Sequence, residues 1–253
     1  MNVLRLMILV GLVIHLNTNR ADAKTDWVEL RVGQNIVRSL IALPNNNGPH
    51  PVVIYNHGKI VRKLGFNESA DRGYDTSGYV NALADAGYMA LAPIRDVYAK
   101  LDDESAISSG VETMKAAIQH LRKRTDVDQA RIGVVGFSEG GLLTLWSAIE
   151  DVDFKAIVLM SPASMTNAGN RKLAYAIKPS NLHQLTNPIM LTVGAHDIMS
   201  IKLAAKAHLV PNLTRLRKPI EFKMDYPGDH KWFWKVRPQH FNDVTQFLDK
   251  YLK

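Results

Sequence analysis

Short apolar runs recur along the chain, separated by longer stretches whose apolar positions keep helical spacing. The runs at 52–55, 88–92, 132–135, 156–160, 189–193 and 220–224 have the length of β-strands. Four of them are almost unbroken, as expected of strands covered on both faces. The run at 220–224 alternates, which suits a sheet edge. Between the runs lie helices. Residues 76–86 read as one, stopped by Gly87. Val111, Met114, Ile118 and Leu121 fall on one helical face, as do Phe241, Val244, Leu248 and Tyr251. Residues 142–149 form another. Strand alternating with helix predicts an α/β domain with a mostly parallel central sheet and helices on both faces. Segments 27–32 and 36–43 read as an antiparallel pair in front, joined to the first central strand through Asn45-Asn46-Asn47-Gly48 and Pro51. No repeat, linker or domain boundary interrupts the alternation, and no insertion is long enough for a large lid domain.

In such a sheet functional groups gather at the carboxyl ends of the strands. Gly136-Phe137-Ser138-Glu139-Gly140 stands there as G-x-S-x-G, between a predicted strand and a predicted helix. Ser138 is the candidate nucleophile, and a serine hydroxyl needs a base to take its proton. His230 follows the last predicted strand in Tyr226-Pro227-Gly228-Asp229-His230 and can reach back over the turn. An acid must orient the imidazole. Asp197, after the penultimate strand in Val193-Gly194-Ala195-His196-Asp197, is the candidate, with Asp225 and Asp229 as rivals. The order Ser138, Asp197, His230 is the one this turn motif requires.

Acyl transfer also needs backbone N–H donors aimed at the developing oxyanion. The amide of Glu139, opening a helix, is one candidate. The other is the amide of Lys59, after Asn56-His57-Gly58, with Ile60 as the fallback. Around the site, Trp232, His57 and Ile60 are candidates for substrate contact. His57 also has a plainer reading as a loop histidine bonded to backbone. Of Trp232-Phe233-Trp234, one or two rings are expected in the core and at least one near the site. Lys59, Arg62, Lys63 and Arg95 either line the mouth or are solvated surface charges. The Glu139 side chain is expected to be exposed and favoured by the helix dipole. The sharper alternative pairs it with Lys59 or Arg62 across the oxyanion donors.

These segments, together with Ala86-Gly87-Tyr88 leading into Leu91-Ala92-Pro93 and with Arg131-Ile132-Gly133-Val134-Val135 before the turn, resemble the α/β-hydrolases. Within that superfamily the chain is most similar to the dienelactone hydrolase group and to the catalytic domains of prolyl-oligopeptidase-type enzymes. The resemblance covers nearly everything after residue 23. It implies an α/β-hydrolase fold and a serine hydrolase that cleaves carboxylic esters through an acyl-enzyme. A peptidase or amidase using the same residues is the second reading, and a non-catalytic binding protein on the same frame the third. Dienelactone hydrolases proper carry a cysteine nucleophile where this chain has Ser138. Prolyl-oligopeptidase types carry an N-terminal propeller, and no such segment is read here.

Composition adds boundaries. The chain has 253 residues, 46% of them hydrophobic, enough for one large core. Its net charge of +7 is scattered, without the basic stripe and interleaved aromatics of a nucleic-acid surface. There is no cysteine, hence no disulfide framework or thiol nucleophile. No metal-ligand spacing such as H-E-x-x-H occurs, so neither a metal nor another cofactor is expected. Arg5, the apolar run 6–16 and Ala21-Asp22-Ala23 have the three-part pattern of a cleavable secretory signal over residues 1–23. That run is too short to span a bilayer, which speaks against a stable membrane anchor. The expectation is a secreted or periplasmic enzyme, domain 24–253, acting on a small-molecule ester.

Overall fold

The computed structural model describes residues 24–163, 179–215 and 219–253. The signal reading of residues 1–23 lies outside the described residues. An eight-stranded sheet runs in the order β1-β2-β4-β3-β5-β6-β7-β8. β1 (Lys24–Val32) and β2 (Asn35–Leu43) form the antiparallel pair, and β2 joins β4 (Met89–Pro93) antiparallel. The rest is parallel: β3 (His50–Asn56) lies between β4 and β5 (Val127–Phe137), followed by β6 (Ile157–Met160), β7 (Ile189–Gly194) and β8 (Ile220–Tyr226). β8 is one of the two edges, as its alternation predicts, and β1 is the other.

The central strands feed two apolar layers, because their side chains alternate between faces. Val52, Ile54, Ile132, Val134, Ile157 and Leu159 enter one layer. Val53, Tyr55, Val135, Phe137, Val158 and Met160 enter the other. The first layer is closed by α3 (Asp103–Arg122), by α4 (Glu139–Ile149) and by the helical stretch that starts at Met199. The second is closed by α1 (Lys59–Asp71), α2 (Thr76–Asp85) and the C-terminal helix Pro238–Leu252. α4 is buried along its whole length, which explains its nearly unbroken apolar sequence after Gly141.

Two helical stretches carry only a weak periodic mark in the sequence. α1 occupies a stretch to which the sequence assigns no element beyond Lys59 at the end of a loop, because its buried positions are Val61, Arg62 and Ser69, and Gly65 breaks its backbone at φ 79°. Two of those three positions are polar, so no apolar face marks it. The helical stretch after β7 runs as Met199–Ala204, a π-helical turn Ala205–Leu209 and Val210–Arg215. Its irregular winding blurs the 3.6-residue period. Among the described residues no helix is long and apolar enough to cross a membrane.

The C-terminal helix carries a buried histidine against the loop that follows β8. The His240 ring packs edge-on to Tyr226 and Phe233, and its Nε2 lies 3.2 Å from Thr192 Oγ1. Burial lowers its pKa to about 4. The folded protein therefore refuses a proton that the unfolded chain accepts near 6.5. This contribution is complete above pH 6.5 and lost as the pH falls towards 4. It amounts to roughly 3 kcal/mol. Urea unfolding between pH 7 and 4 is expected to show the loss, and His240→Leu to reduce the slope.

Candidate active site

β5 ends at Phe137 and α4 begins at Glu139, so Ser138 alone turns the chain. It does so at φ 54°, ψ −118°, a conformation that strains a residue with a side chain. Neighbouring strands hold it there. The Ser138 N–H donates to the Met160 carbonyl at 3.0 Å, and the Ser138 carbonyl accepts from Ala163 at 2.8 Å. The glycines of the motif are imposed by contact. A Cβ on Gly140 would stand 2.0 Å from the Asn56 carbonyl oxygen, and one on Gly136 would stand 2.3 Å from that of Gly140.

Three predicted side chains meet at this turn. Ser138 Oγ lies 2.8 Å from His230 Nε2, and His230 Nδ1 lies 2.9 Å from Asp197 Oδ1. A carboxylate only accepts, so Nδ1 carries the proton and Nε2 is left to accept from the hydroxyl. Asp197 is held further by the Ile198 N–H at 2.7 Å on Oδ1 and by the Ser161 hydroxyl at 2.5 Å on Oδ2. Burial by itself would raise its pKa. The hydrogen bonds from His230, Ser161 and Ile198 outweigh that and hold the carboxyl below its ordinary range. The ring packed on His230 is Phe137, with centroids 4.8 Å apart. The rival acids lie elsewhere: Asp229 accepts from the Trp232 N–H, and Asp225 is exposed at the end of β8.

The expected oxyanion donors open two helices that face each other across the turn. Glu139 is the first residue of α4 and Lys59 the first of α1. Amides at that position have no acceptor in their own helix. A Cβ on Gly58 would come within 3.5 Å of Ser138 Cβ, so the loop before α1 packs directly on the turn. The Gly58 N–H is taken: it donates to the Tyr74 hydroxyl at 2.8 Å, which in turn shares a proton with Tyr55 at 2.9 Å.

The Glu139 side chain is not exposed, which corrects the helix-dipole expectation. It is 6% accessible and lies between two fully buried guanidiniums. Arg62 Nε donates to Oε1 at 2.9 Å and Nη2 to Oε2 at 2.7 Å, while Arg95 Nη1 donates to Oε1 at 3.2 Å. The alternative pairing with Arg62 is therefore the geometry present. The Lys59 ammonium turns outward to Asp103 at 2.6 Å, and Asp103 also accepts from Arg62 at 2.8 Å. Neither Arg62 nor Arg95 is a mouth or surface charge. Burial holds the Arg95 pKa below its ordinary value. For Arg62 burial pulls the same way, but Glu139 and Asp103 outweigh it and raise the pKa.

His57 belongs to this buried group: the candidate role in substrate contact is corrected, and the plainer reading, a loop histidine bonded to backbone, is the geometry present. The residue is fully buried, its Nε2 accepts from the Arg95 N–H at 3.0 Å, and its Nδ1 donates to the Gly58 carbonyl at 3.0 Å. Burial, with the charge of Arg95, holds its pKa well below the ordinary value, so the ring is neutral. Ile60 is half-buried beside the second apolar layer. Trp232 is half-buried, and its ring contacts run to Tyr226, Phe233 and His240. Phe233 is core, and Trp234 packs on Tyr74. Ser161, Tyr74, Phe137 and Arg95's bond to the loop were not singled out in the sequence. Only the strand-end position of Ser161 could have flagged it. Among the described residues no group of three His, Cys, Asp or Glu side chains is placed to hold a metal ion.

Known proteins share this frame. The sequence profile of the dienelactone hydrolase family matches residues 37–246. No curated protein matches the chain in sequence. The acylaminoacyl peptidase of Pyrococcus horikoshii superposes with a TM-score of 0.74 at 15% identity, over 92% of this chain and 42% of that one. The dipeptidyl peptidase 4 of Porphyromonas gingivalis gives 0.68 at 18%, over 92% and 36%. An esterase of Pyrococcus furiosus gives 0.68 at 17%, over 91% and 94%. The chain thus spans less than half the length of the two peptidases and nearly all of the esterase. At these identities the likeness is one of fold, the α/β-hydrolase arrangement.

The buried carboxylate gives a stability test. Glu139→Gln keeps the shape but leaves two buried guanidiniums facing a neutral amide. Removing one partner of a buried ion pair costs about 3–5 kcal/mol. The expected outcome is a Tm lower by roughly 6–20 °C for a chain of this size, read by thermal unfolding.

Proposed function

The chain belongs to the dienelactone hydrolase family and is a hydrolase, and from that premise we propose that it cleaves carboxylic esters through an acyl-enzyme on Ser138. The observation that carries this reading is the unbroken hydrogen-bonded chain from Ser138 through His230 to Asp197. Ser138 Oγ attacks the ester carbonyl as His230 Nε2 takes its proton. Asp197 keeps the imidazole in the tautomer that can accept, and its negative charge favours the imidazolium that forms. The negative charge that develops on the carbonyl oxygen is met by the amides of Glu139 and Lys59. His230 then protonates the leaving alcohol. Water, activated by the same imidazole, releases the acid and restores Ser138.

The likeness in fold to an acylaminoacyl peptidase and a dipeptidyl peptidase supports a second reading, hydrolysis of an amide by the same residues. Short p-nitrophenyl esters and aminoacyl p-nitroanilides separate the two: turnover of the anilides without the esters would favour the amidase. Export over a cleaved residue 1–23 signal is part of the proposal, and Edman sequencing of the exported protein should begin at Lys24.

Ser138→Ala is expected to fold as the parent does and to lower kcat on a p-nitrophenyl ester by about ten-thousand-fold or more. A fluorophosphonate probe should label the parent at Ser138 and leave the variant unlabelled. Retained activity in the variant would overturn the mechanism. A folded parent that resists the probe would point to a binding protein instead.

A further inference from the structure

Among the described residues only Ser138, Asp151 and Ser161 combine a side chain with positive φ. Asp151 is exposed in the turn after α4. The other two stand just past the ends of the paired strands β5 and β6, and both place a hydroxyl in the same hydrogen-bonded chain. Ser161 is fully buried at φ 42°, in the region that favours glycine. Its N–H donates to the Thr192 carbonyl at 2.7 Å, which ties it to β7, the strand that leads to Asp197. Its hydroxyl faces Asp197 Oδ2 at 2.5 Å and must be the donor, because a carboxylate only accepts.

The two oxygens of Asp197 are held differently. Oδ1 receives both the Ile198 N–H and His230 Nδ1, whereas Oδ2 is held by Ser161. The Asp197 side chain has no exposed surface, so bulk water does not replace a lost donor. A carboxylate turns easily about its Cβ–Cγ bond, whose torsion is broad. Without a donor on Oδ2 the group can rotate to share Oδ1's donors, and the line to His230 is lost.

We propose that Ser161 is a positioning residue for hydrolysis: its hydroxyl clamps the outer oxygen of Asp197 and so keeps His230 aligned on Ser138. The proposal rests on the ester-hydrolase reading above. It explains why a strained serine occupies a position where glycine would be relaxed: glycine has no hydroxyl to offer.

The backbone preference and the hydroxyl can be separated by two substitutions. Ser161→Gly relieves the positive φ and Ser161→Ala does not, while both remove the donor. Thermal unfolding should place the glycine variant above the alanine variant in Tm. Activity should ignore that difference. Both variants should lose kcat on a p-nitrophenyl ester by roughly 10- to 100-fold, the worth of one hydrogen bond to a charged group. KM should stay within about two-fold, since substrate binding is not touched. The rate of fluorophosphonate labelling at Ser138 should fall by the same factor as kcat. If the alanine variant fails to fold, the glycine variant and its labelling rate decide alone. A glycine variant with the parent's kcat and labelling rate would overturn the proposal, as would activities that merely follow Tm. Ser138→Ala in the same assay keeps the two readings apart. If that variant is inactive while Ser161→Gly works normally, only the role of Ser161 fails. If Ser138→Ala is active, the hydrolytic mechanism itself fails.

Discussion

The contact on which the rest of the site depends is the approach of α4 to the end of β3. At Gly140 the helix backbone comes so close to the Asn56 carbonyl that no side chain fits between them. That approach forces Ser138 to turn the chain within one residue, and it brings the loop His57-Gly58-Lys59 against the turn. It also decides the fate of the next side chain. The first turn of α4 is pressed under the loop, so the carboxylate of Glu139 has no path to water. A buried carboxylate must be paired, and the partners come from the two segments that flank the loop, Arg62 on α1 and Arg95 after β4.

The arrangement that results is a closed circuit of donors and acceptors. Arg95 spans from Glu139 to the His57 carbonyl, and its own N–H holds His57 Nε2. Arg62 spans from Glu139 to Asp103 and to the carbonyls of Tyr98 and Leu101. Tyr74 takes the one amide of the loop that points the other way, that of Gly58. A buried ion pair of this kind is weak as a source of stability, since well-packed apolar groups do as well or better. Its consequence here is geometric. The loop is tied at the His57 ring and carbonyl and at the Gly58 amide and carbonyl, so its approach to the first turn of α4 is held by several bonds at once. For the proposed reaction that is preorganisation: the donors need not move when charge develops.

The strands, their order of function along the chain and the meeting of Ser138, Asp197 and His230 were legible because each leaves a local mark. A strand covered on both faces is an apolar run, and a one-residue turn between strand and helix demands small neighbours. What was illegible is what long-range burial decides. Arg62 and Arg95 read as mouth or surface charges, with only Arg62 of the two also read as a partner of Glu139, because that carboxylate lies 77 and 44 positions away. α1 leaves no periodic mark for the same reason, since a buried arginine takes the place of an apolar residue on its inner face. The rule that places an acid at a helix start assumes an exposed first turn, and for α4 that assumption fails. His57 reads as a candidate for substrate contact because it follows a strand end, but its plainer reading, a loop histidine bonded to backbone, is the geometry present.

Strain and hydrogen bonding then point the same way at two adjacent strand ends. A non-glycine residue at positive φ survives only where its surroundings over-determine it. For Ser138 the surroundings are the bonds to Met160 and Ala163, and for Ser161 the bond to Thr192. Both residues sit where the parallel sheet supplies fixed backbone partners from the neighbouring strand. The sheet thus absorbs the strain and delivers two hydroxyls to opposite ends of one chain, Ser138 to His230 and Ser161 to Asp197. Glycine at either position would relax the backbone and leave the end of the chain open. The hydroxyls, not the conformation, are what these positions are built to provide.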